Sequence, residues 1–181
     1  MIVISGKYKG RRIKGFDMDG TRPTMDRVKE SLFGMIQEKI KDSIILDLFS
    51  GSGNLAIESL SEGARVAYAV DKNGIATKTI KENIKEIGIE NLNVYKMDYE
   101  KALLYLKEEK ISFDVIFLDP PYKTDYIKKS IEIIEEYNLL KEDGIMVCES
   151  DRLEKIEFSE KFMKIKEKKY GDKWVVIIKK V

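Results

Sequence analysis

The chain has 181 residues, of which 43% are hydrophobic, and 33 Lys and Arg stand against 32 Asp and Glu. This length and composition predict one domain of ordinary size with a hydrophobic core plus an extension, and they exclude an intrinsically disordered chain. No apolar run approaches the length that crosses a bilayer, and the first residues lack the layout of a signal peptide. We therefore expect a cytoplasmic protein that does not enter a membrane.

The sequence contains no histidine and a single cysteine, Cys148. Cys148 lies in an apolar run, so we expect a small buried core residue rather than a reactive thiol. Without histidine, Ser-His and Cys-His catalysis is impossible, and a transition-metal site is not expected. Any group that handles protons must then be a carboxylate, a lysine or a tyrosine.

Charge is unevenly distributed along the chain. Residues 1–41 hold ten basic and five acidic side chains, and residues 161–181 hold eight basic and two acidic ones. The first 14 residues carry five basic side chains and no acid, which favours a polyanionic partner for this end of the chain. For the C-terminal lysines, a polyanionic partner and a solvated surface remain equally open.

The predicted elements begin with two short extended segments, Ile2–Ser5 and Arg11–Lys14, which are typical of a small β-ribbon. A helix is predicted to follow, with Thr24 or Asp26 as its N-cap. An apolar stripe should pack this helix onto the rest of the protein, and it consists of Val28, Leu32, Met35 and Ile36. The predicted domains are thus an accessory N-terminal extension, residues 1–41, and a main domain, residues 42–181.

In the main domain, apolar runs that predict strands alternate with amphipathic runs that predict helices. The predicted strands are Ile44–Phe49, Arg65–Val70, Leu92–Lys96, Phe113–Leu118 and Ile145–Glu149. Helices are predicted to begin near Asn54, Asn73, Asp98 and Thr124. This alternation predicts an α/β fold in which helices cover both faces of a mostly parallel sheet. A closing antiparallel hairpin is predicted from two further runs, Phe162–Glu167 and Trp174–Lys179.

A glycine-rich loop, residues 47–54, follows the first predicted strand. Gly51 and Gly53 let the backbone approach a ligand closely, and the next helix points its N–H groups at the same place. The loop also satisfies the dinucleotide pattern GxGxxA, which is a weak signal on its own. The loop therefore predicts a cofactor site without naming the cofactor.

Two acidic residues follow the next two predicted strands. Asp71 ends the second strand, where its carboxylate can accept hydrogen bonds from both hydroxyls of a ribose. Nicotinamide enzymes and methyltransferases both use that arrangement, so Asp71 does not separate them. Asp98 ends the third strand just before Tyr99, and it either binds an adenine amine beside an apolar wall or caps the following helix.

The most informative motif is Asp119-Pro120-Pro121-Tyr122, which follows an apolar predicted strand. Two prolines at a strand end make a stiff, extended corner. The corner would hold the Asp119 carboxylate and the Pro120 carbonyl as two acceptors for an exocyclic amine, with the Tyr122 ring stacked on the base. The alternative is a strand followed by a rigid turn, but the complete motif favours a functional site.

These features together resemble the class I S-adenosylmethionine-dependent methyltransferases that act on amines. Two upstream segments, Ser5–Ile13 and Arg22–Phe33, resemble the RsmD-type family, which methylates N2 of a guanine in small-subunit (16S) ribosomal RNA. The resemblance covers essentially the whole chain. It implies a Rossmann-like, seven-stranded, mostly parallel sheet with a C-terminal antiparallel hairpin. It also implies S-adenosylmethionine as the cofactor and 16S ribosomal RNA or the small ribosomal subunit as the partner.

The resemblance further implies a role for each site residue. The catalytic residues would be Asp119, Pro120, Pro121 and Tyr122. The cofactor-binding residues would be Asp47, Phe49, Gly51, Gly53, Asn54, Asp71, Lys72, Asp98 and Tyr99. The residues that face RNA would be Lys7, Arg11, Arg12, Arg22, Thr24 and Arg27. Ser50 and Asn54 depart from the residues common in the family, which does not put the cofactor in doubt.

Three other functions remain open. The Asp119–Tyr122 motif alone also allows a methyltransferase for adenine or another nucleobase amine in DNA or another RNA. The glycine loop alone allows a nicotinamide-dependent oxidoreductase, which would leave that motif unexplained. The third is an RNA-binding or ribosome-assembly factor without activity. No spare apolar stripe is evident, so we expect a monomer, and we expect no metal.

Overall fold

The computed structural model describes residues 1–15, 24–122 and 124–181, and only the backbone of Thr24 and Met25. The helices are α1 (Thr24–Ile36), α2 (Asn54–Ser61), α3 (Gly74–Ile87), α4 (Tyr99–Glu108) and α5 (Tyr126–Glu136). The strands are β1 (Ile44–Asp47), β2 (Val66–Asp71), β3 (Leu92–Lys96), β4 (Phe113–Leu118), β5 (Leu140–Ser150), β6 (Phe162–Tyr170) and β7 (Lys173–Lys180). Short 3₁₀ turns lie at Gln37–Lys39 and Leu153–Lys155. Within these ranges, no helix is both long enough and apolar enough to cross a membrane.

The strands form a seven-stranded sheet in the order β3-β2-β1-β4-β5-β7-β6. Strands β1 to β5 run parallel to one another, and β7 runs antiparallel to both β5 and β6. The chain winds outward from β1 to β3 and then crosses to β4 on the other side of β1. Ligands of such doubly wound sheets bind where the winding reverses, outside the C-terminal ends of the strands. The predicted fold class, with its closing antiparallel hairpin, is confirmed.

Two hydrophobic clusters lie on opposite faces of the sheet. Helices α1, α2 and α3 bury apolar side chains such as Phe33 and Ile57 in the first cluster. Helices α4 and α5 bury side chains such as Leu103 in the second cluster. Neighbouring residues of β4 alternate between the two, since Phe117 belongs to the first cluster and Ile116 to the second. This arrangement confirms that helices cover both faces of the sheet.

Several predicted strand boundaries are wrong, with the largest errors at the end of β1, the start of β5 and the end of β6, and Cys148 is buried as expected. β1 ends at Asp47 rather than at Phe49, because the chain turns into the glycine loop while its residues are still apolar. β5 begins at Leu140 rather than at residue 145, although the polar segment 141–144 resembles a turn in the sequence. Prediction from apolar residues alone therefore made β1 too long and β5 too short.

The N-terminal extension packs directly against the rest of the protein. Instead of a regular β-ribbon, its two segments form one isolated antiparallel bridge between Ile2 and Arg12. Val3 N donates to Arg11 O at 2.9 Å beside this bridge. Val3 and Ile13 are buried in the first hydrophobic cluster together with Leu32 and Ile36 of the apolar stripe of α1. Met35 of the stripe packs against the cluster, whereas Val28 lines the large cavity described below. The separation of residues 1–41 as an accessory unit with its own task stays a prediction.

A buried ion pair between Lys29 of α1 and Glu58 of α2, the Lys29–Glu58 clamp, fixes this packing. Their side chains are 1% and 0% exposed, and Lys29 Nζ lies 2.8 Å from Glu58 Oε2. Lys29 Nζ also donates to Ile2 O at 2.6 Å and to Asn54 Oδ1 at 2.7 Å. The Glu58 carboxylate accepts from the backbone N–H groups of residues 4 and 5 at 3.0 Å. The clamp thus holds the first residues, α1 and the start of α2 together.

Candidate active site

A cavity of about 970 Å³ opens at the C-terminal edge of the parallel strands. Ligand pockets typically occupy about 300–1,000 Å³, so this cavity has room for a cofactor together with a target base. The structure brings most of the predicted cofactor and catalytic residues to its wall. These are Asp47, Phe49, Gly51, Asn54, Asp71, Lys72, Asp98, Tyr99, Asp119, Pro120, Pro121 and Tyr122. Because they come from the ends of four parallel strands, the sheet itself sets their spacing.

Asp47 ends β1 at the floor of the cavity and is 1% exposed. Ser50 Oγ donates to Asp47 Oδ2 at 2.8 Å, whereas the buried Oδ1 has no partner among the described residues. Burial raises the pKa of Asp47 to about 7, and the hydrogen bond from Ser50 opposes this rise. An unpartnered buried carboxylate oxygen at a cavity wall favours a cationic ligand group, directly or through one water.

The glycine loop adopts the conformation that its sequence predicts. Gly51 and Gly53 have φ angles of 56° and 83°, which side chains with a Cβ rarely adopt. A Cβ on Gly53 would also lie 3.2 Å from Ile80 Cγ2, so Gly53 lets α2 pack closely on α3. Gly53 does not belong to the cavity wall, and its predicted contact with the cofactor stays a prediction.

Asp71 ends β2 and ties the glycine loop to the start of α3. Its Oδ2 accepts from Gly51 N at 2.9 Å, and its Oδ1 accepts from Asn73 N at 2.8 Å. Each carboxylate oxygen can accept a second hydrogen bond, so the carboxylate is oriented by the backbone while it lines the cavity. This geometry fits the predicted role toward a ribose. Lys72 beside it places its Nζ 6.0 Å from the centroid of the Tyr126 ring.

Asp98 lies at the start of α4 and on the wall of the cavity. Its Oδ1 accepts from Glu100 N at 3.0 Å and so caps α4, and the same residue lines the cavity. Because capping uses one oxygen, the other can accept from an adenine amine. The role in capping is confirmed, and the role toward adenine stays a prediction.

Three aromatic rings, here called the aromatic wall, flank this part of the cavity: Phe49, Tyr99 and Tyr126. The centroid of Tyr99 lies 5.5 Å from that of Phe49 and 4.9 Å from that of Tyr126. Rings at such separations stabilise one another, and Phe49 and Tyr126 are nearly parallel while Tyr99 is tilted against both. Phe49 and Tyr99 were predicted from the sequence, but Tyr126 was missed. The signal was present, since an aromatic residue opens the helix after the double-proline corner.

The Asp119–Tyr122 corner follows β4 on the opposite side of the cavity from Asp71. Asp119 is partly buried and Pro120 is buried, whereas the Tyr122 side chain is 43% exposed and available for stacking. Burial and the neighbouring Glu149 carboxylate raise the pKa of Asp119 well above its usual range, and Lys173 partly offsets this rise. The corner therefore presents a carboxylate of increased basicity beside an accessible aromatic face.

Sequence reasoning missed two charged residues beside this corner. Glu149 near the end of β5 and Lys173 at the start of β7 form an ion pair, and both line the cavity. Burial lowers the pKa of Lys173, but the charges of Glu149 and Asp119 outweigh that effect and leave it raised. An acid at the end of an apolar strand, the pattern that identified Asp71 and Asp98, also applies to Glu149.

Of the residues predicted to face RNA, the four that the structure describes with their side chains do not line the cavity. Lys7, Arg11, Arg12 and Arg27 are exposed, and the Arg11 guanidinium donates to Glu86 O at 2.6 Å. Arg22 and the side chain of Thr24 lie outside the described residues. The role of this surface in RNA binding stays a prediction.

Metal ligation has no support in the described residues, which contain no group of three or more His, Cys, Asp or Glu side chains able to hold a metal ion. The cavity wall offers carboxylates, aromatic rings and the ammonium group of Lys173 for chemistry.

Comparison with known proteins identifies relatives along the full length. A family model described as "Conserved hypothetical protein 95" matches residues 1–179. The Bacillus subtilis protein YlbH is 44% identical over 153 residues, which cover 84% of this chain and 83% of that protein. The Ribosomal RNA small subunit methyltransferase D of Buchnera aphidicola is 34% identical over 155 residues, covering 85% and 80%. The solved structure of Escherichia coli yhhF is 25% identical, has a TM-score of 0.87, and the match covers 99% of this chain and 97% of that one.

Proposed function

Since the chain belongs to the family described as Conserved hypothetical protein 95, which is the RsmD-type methyltransferase family, we propose its reaction in full. It transfers a methyl group from S-adenosylmethionine to the exocyclic N2 amine of a guanine in small-subunit (16S) ribosomal RNA. The family supports an S-adenosylmethionine-dependent methyltransferase. The single observation that carries the rest is that the Asp119–Tyr122 corner and the glycine loop face the same cavity.

The residues of the cavity fit the cofactor. Asp47 offers its unpartnered Oδ1 to the ammonium group of the methionine moiety. Asp71 is oriented by two backbone N–H groups and accepts from the ribose hydroxyls. Asp98 accepts from the adenine amine, and the aromatic wall covers the apolar surface of the adenine. Lys72, Asn54 and the glycines complete the proposed cofactor-binding set.

The Asp119–Tyr122 corner activates the target amine. A guanine N2 amine is a weak nucleophile because its lone pair is delocalised into the ring. The Asp119 carboxylate and the Pro120 carbonyl each accept one N–H, which directs the lone pair out of the ring plane and positions it for reaction. The cofactor supplies an electrophilic methyl group on a sulfonium.

Asp119 stabilises the charge that develops on the amine during the transfer. As the nitrogen–carbon bond forms, the carbon–sulfur bond breaks and the positive charge passes to nitrogen, where the Asp119 carboxylate stabilises it. The excess proton then leaves the nitrogen for water or for Asp119, whose raised pKa makes it a better acceptor. No metal ion or histidine is required by this sequence of events.

Reaching the cavity requires the guanine to leave its stacked neighbours, a step that costs a few kcal/mol. The exposed ring of Tyr122 offers replacement stacking. The basic residues of the extension, including Arg11 and Arg12, bind phosphates of the same RNA at a distance from the cavity. We further propose that the enzyme is located in the cytoplasm, acts as a monomer and uses no metal ion.

The proposal is tested by incubating the protein with S-adenosylmethionine and either unmodified small ribosomal subunits or their naked RNA. The RNA is then digested and its nucleosides are identified by mass spectrometry. We expect new N2-methylguanosine, and the better of the two substrates shows whether the enzyme acts before or after assembly. S-adenosylmethionine binding without methylation of either substrate would contradict the proposed target. It would favour the alternative of a nucleobase amine in DNA or another RNA.

A further inference from the structure

Three charged side chains from neighbouring strands, here called the charged row, stand side by side at the cavity: Asp119, Glu149 and Lys173. The last paired residues of β4 and β5 directly precede Asp119 and Glu149, so these two lie next to each other. Glu149 pairs with Val175 of β7, and Lys173 lies two residues from Val175 on the same face of the sheet. The order across the sheet is therefore carboxylate, carboxylate, ammonium.

The last two members of the charged row are held together. Lys173 Nζ forms an ion pair with Glu149 Oε1, and the two side chains are 37% and 14% exposed. Lys173 Nζ also lies 5.3 Å from the centroid of the Tyr122 ring. The acceptor of Glu149 and the donor of Lys173 are thus adjacent, and Lys173 Nζ lies over one face of the Tyr122 ring, which leaves the other face for a base. The proposed chemistry at N2 uses Asp119 and assigns no role to Glu149 or Lys173.

We propose, on the premise that the proposed function holds, that Glu149 and Lys173 select guanine by contacting its Watson–Crick edge. That edge presents, in order, the N2 amine as donor, N1–H as donor and O6 as acceptor. The charged row presents an acceptor, an acceptor and a donor in the same order. Asp119 takes the N2 amine, Glu149 accepts from N1–H, and Lys173 donates to O6.

The same row rejects the other bases that carry an amine. In adenine and in cytosine, the ring nitrogen beside the amine is an acceptor, so its lone pair would face the Glu149 carboxylate. Both groups would be left without a hydrogen bond in a partly buried site, which is costly. Sites built to hydrogen-bond a substrate group reject analogues that lack this group far more strongly than apolar pockets do. Glu149 and Lys173 would therefore determine which base is methylated, whereas Asp119 acts on the amine itself.

The test uses an RNA fragment that carries either guanine or 2-aminopurine at the methylated position. 2-Aminopurine retains the exocyclic amine, but its N1 is an acceptor and it lacks O6. The full-length wild-type enzyme is compared with Glu149→Gln and Lys173→Met, and kcat/KM is measured for both RNAs. Matched controls are Glu142→Gln on β5 and Lys179→Met on β7, whose side chains pair with other partners. Because the preference is a ratio within one enzyme preparation, a smaller folded fraction does not change it.

We expect the wild type to prefer guanine over 2-aminopurine by at least about 100-fold, because the analogue leaves two charged groups of a partly buried site without their hydrogen bonds. The variants Glu149→Gln and Lys173→Met should each lower this preference by about tenfold. Gln can donate to an N1 acceptor, and Met has no donor that would be left unpaired when O6 is absent. The two controls should keep the wild-type preference.

An unchanged preference in both variants would overturn the inference. So would loss of transfer to both RNAs with retained cofactor affinity, because it would assign the pair to the chemistry rather than to base selection. The two proposals fail separately. A wild type that methylates no guanine refutes the proposed function, whereas guanine methylation with unchanged preferences refutes only the role of this pair.

Discussion

The Lys29–Glu58 clamp leads to a large predicted change in stability on the substitution Lys29→Met. Methionine keeps much of the apolar stem but removes an ammonium that contacts Ile2 O, Asn54 Oδ1 and Glu58 Oε2 at 2.6–2.8 Å. The Glu58 carboxylate then stays fully buried without a cation. Removing one partner of a buried ion pair costs about 3–5 kcal/mol, so the free energy of unfolding should fall by about that amount.

Urea-induced unfolding measures this change, with the fluorescence of Trp174 or the circular dichroism of the helices as the signal. With an m-value of about 2 kcal/mol per molar urea, the unfolding midpoint should fall by about 2 M. The control is Lys85→Met on α3, whose side chain is exposed. Its free energy of unfolding should stay within about 0.5 kcal/mol of the wild type.

A double-mutant cycle with Glu58→Gln separates the ion pair from the packing of the lysine stem. The double variant carries no buried charge at the clamp, so its loss of stability should be smaller than the sum of the two single losses. Residues in contact typically show interaction free energies of about 0.5–3 kcal/mol, and we expect a value in the upper half of that range. A Lys29→Met variant within 1 kcal/mol of the wild type, or strictly additive losses, would refute this view of the clamp.

Two further predictions concern the cofactor and the RNA. A positively charged ligand favours the ionised form of Asp47, whose pKa is raised to about 7 by burial. The affinity for S-adenosylmethionine should therefore rise from pH 6 to pH 8, by up to about tenfold for each pH unit below that pKa. In Asp47→Asn the rise should disappear in calorimetric titrations, and a persisting rise would show that another group is responsible. The double variant Arg11→Ala with Arg12→Ala should keep its cofactor affinity and bind ribosomal RNA more weakly. The salt dependence of RNA binding should show about one counterion fewer released for each phosphate that the arginines neutralise. Unchanged RNA affinity at moderate salt would remove the role of these arginines.

The fold was largely predictable because its signals are local. Apolar runs, helix caps such as Asn73 and Asp98, and the glycine loop each depend on a few neighbouring residues. Strand alternation with helices then restricts the topology to a mostly parallel sheet. The predicted start of β5 failed for the same reason, because the polar segment 141–144 has the local pattern of a turn although the strand continues through it.

The site was predictable only where a motif is contiguous in the chain. The Asp119–Tyr122 corner and Asp71 each belong to a short pattern at a strand end. Glu149 and Lys173 are 24 residues apart, and only the pairing of β5 with β7 brings them together. The burial of Lys29 was even harder to predict, because a lysine on an amphipathic helix is normally solvated. Its three partners are Ile2 and two residues of α2, which lie in two distant parts of the chain.

The role of Asp119 is the central claim, and Asp119→Ala tests it most directly. Cofactor affinity is measured by calorimetry, and the rate of methyl transfer is measured with small ribosomal subunits as the substrate. The exposed Asp143→Ala is the control. We predict that methyl transfer falls by at least about 100-fold, as for the loss of a group that stabilises charge in the transition state, while cofactor affinity stays close to that of the wild type. An Asp119→Ala variant that methylates at a rate near the wild type would contradict the account, because the amine would then need no carboxylate at the corner.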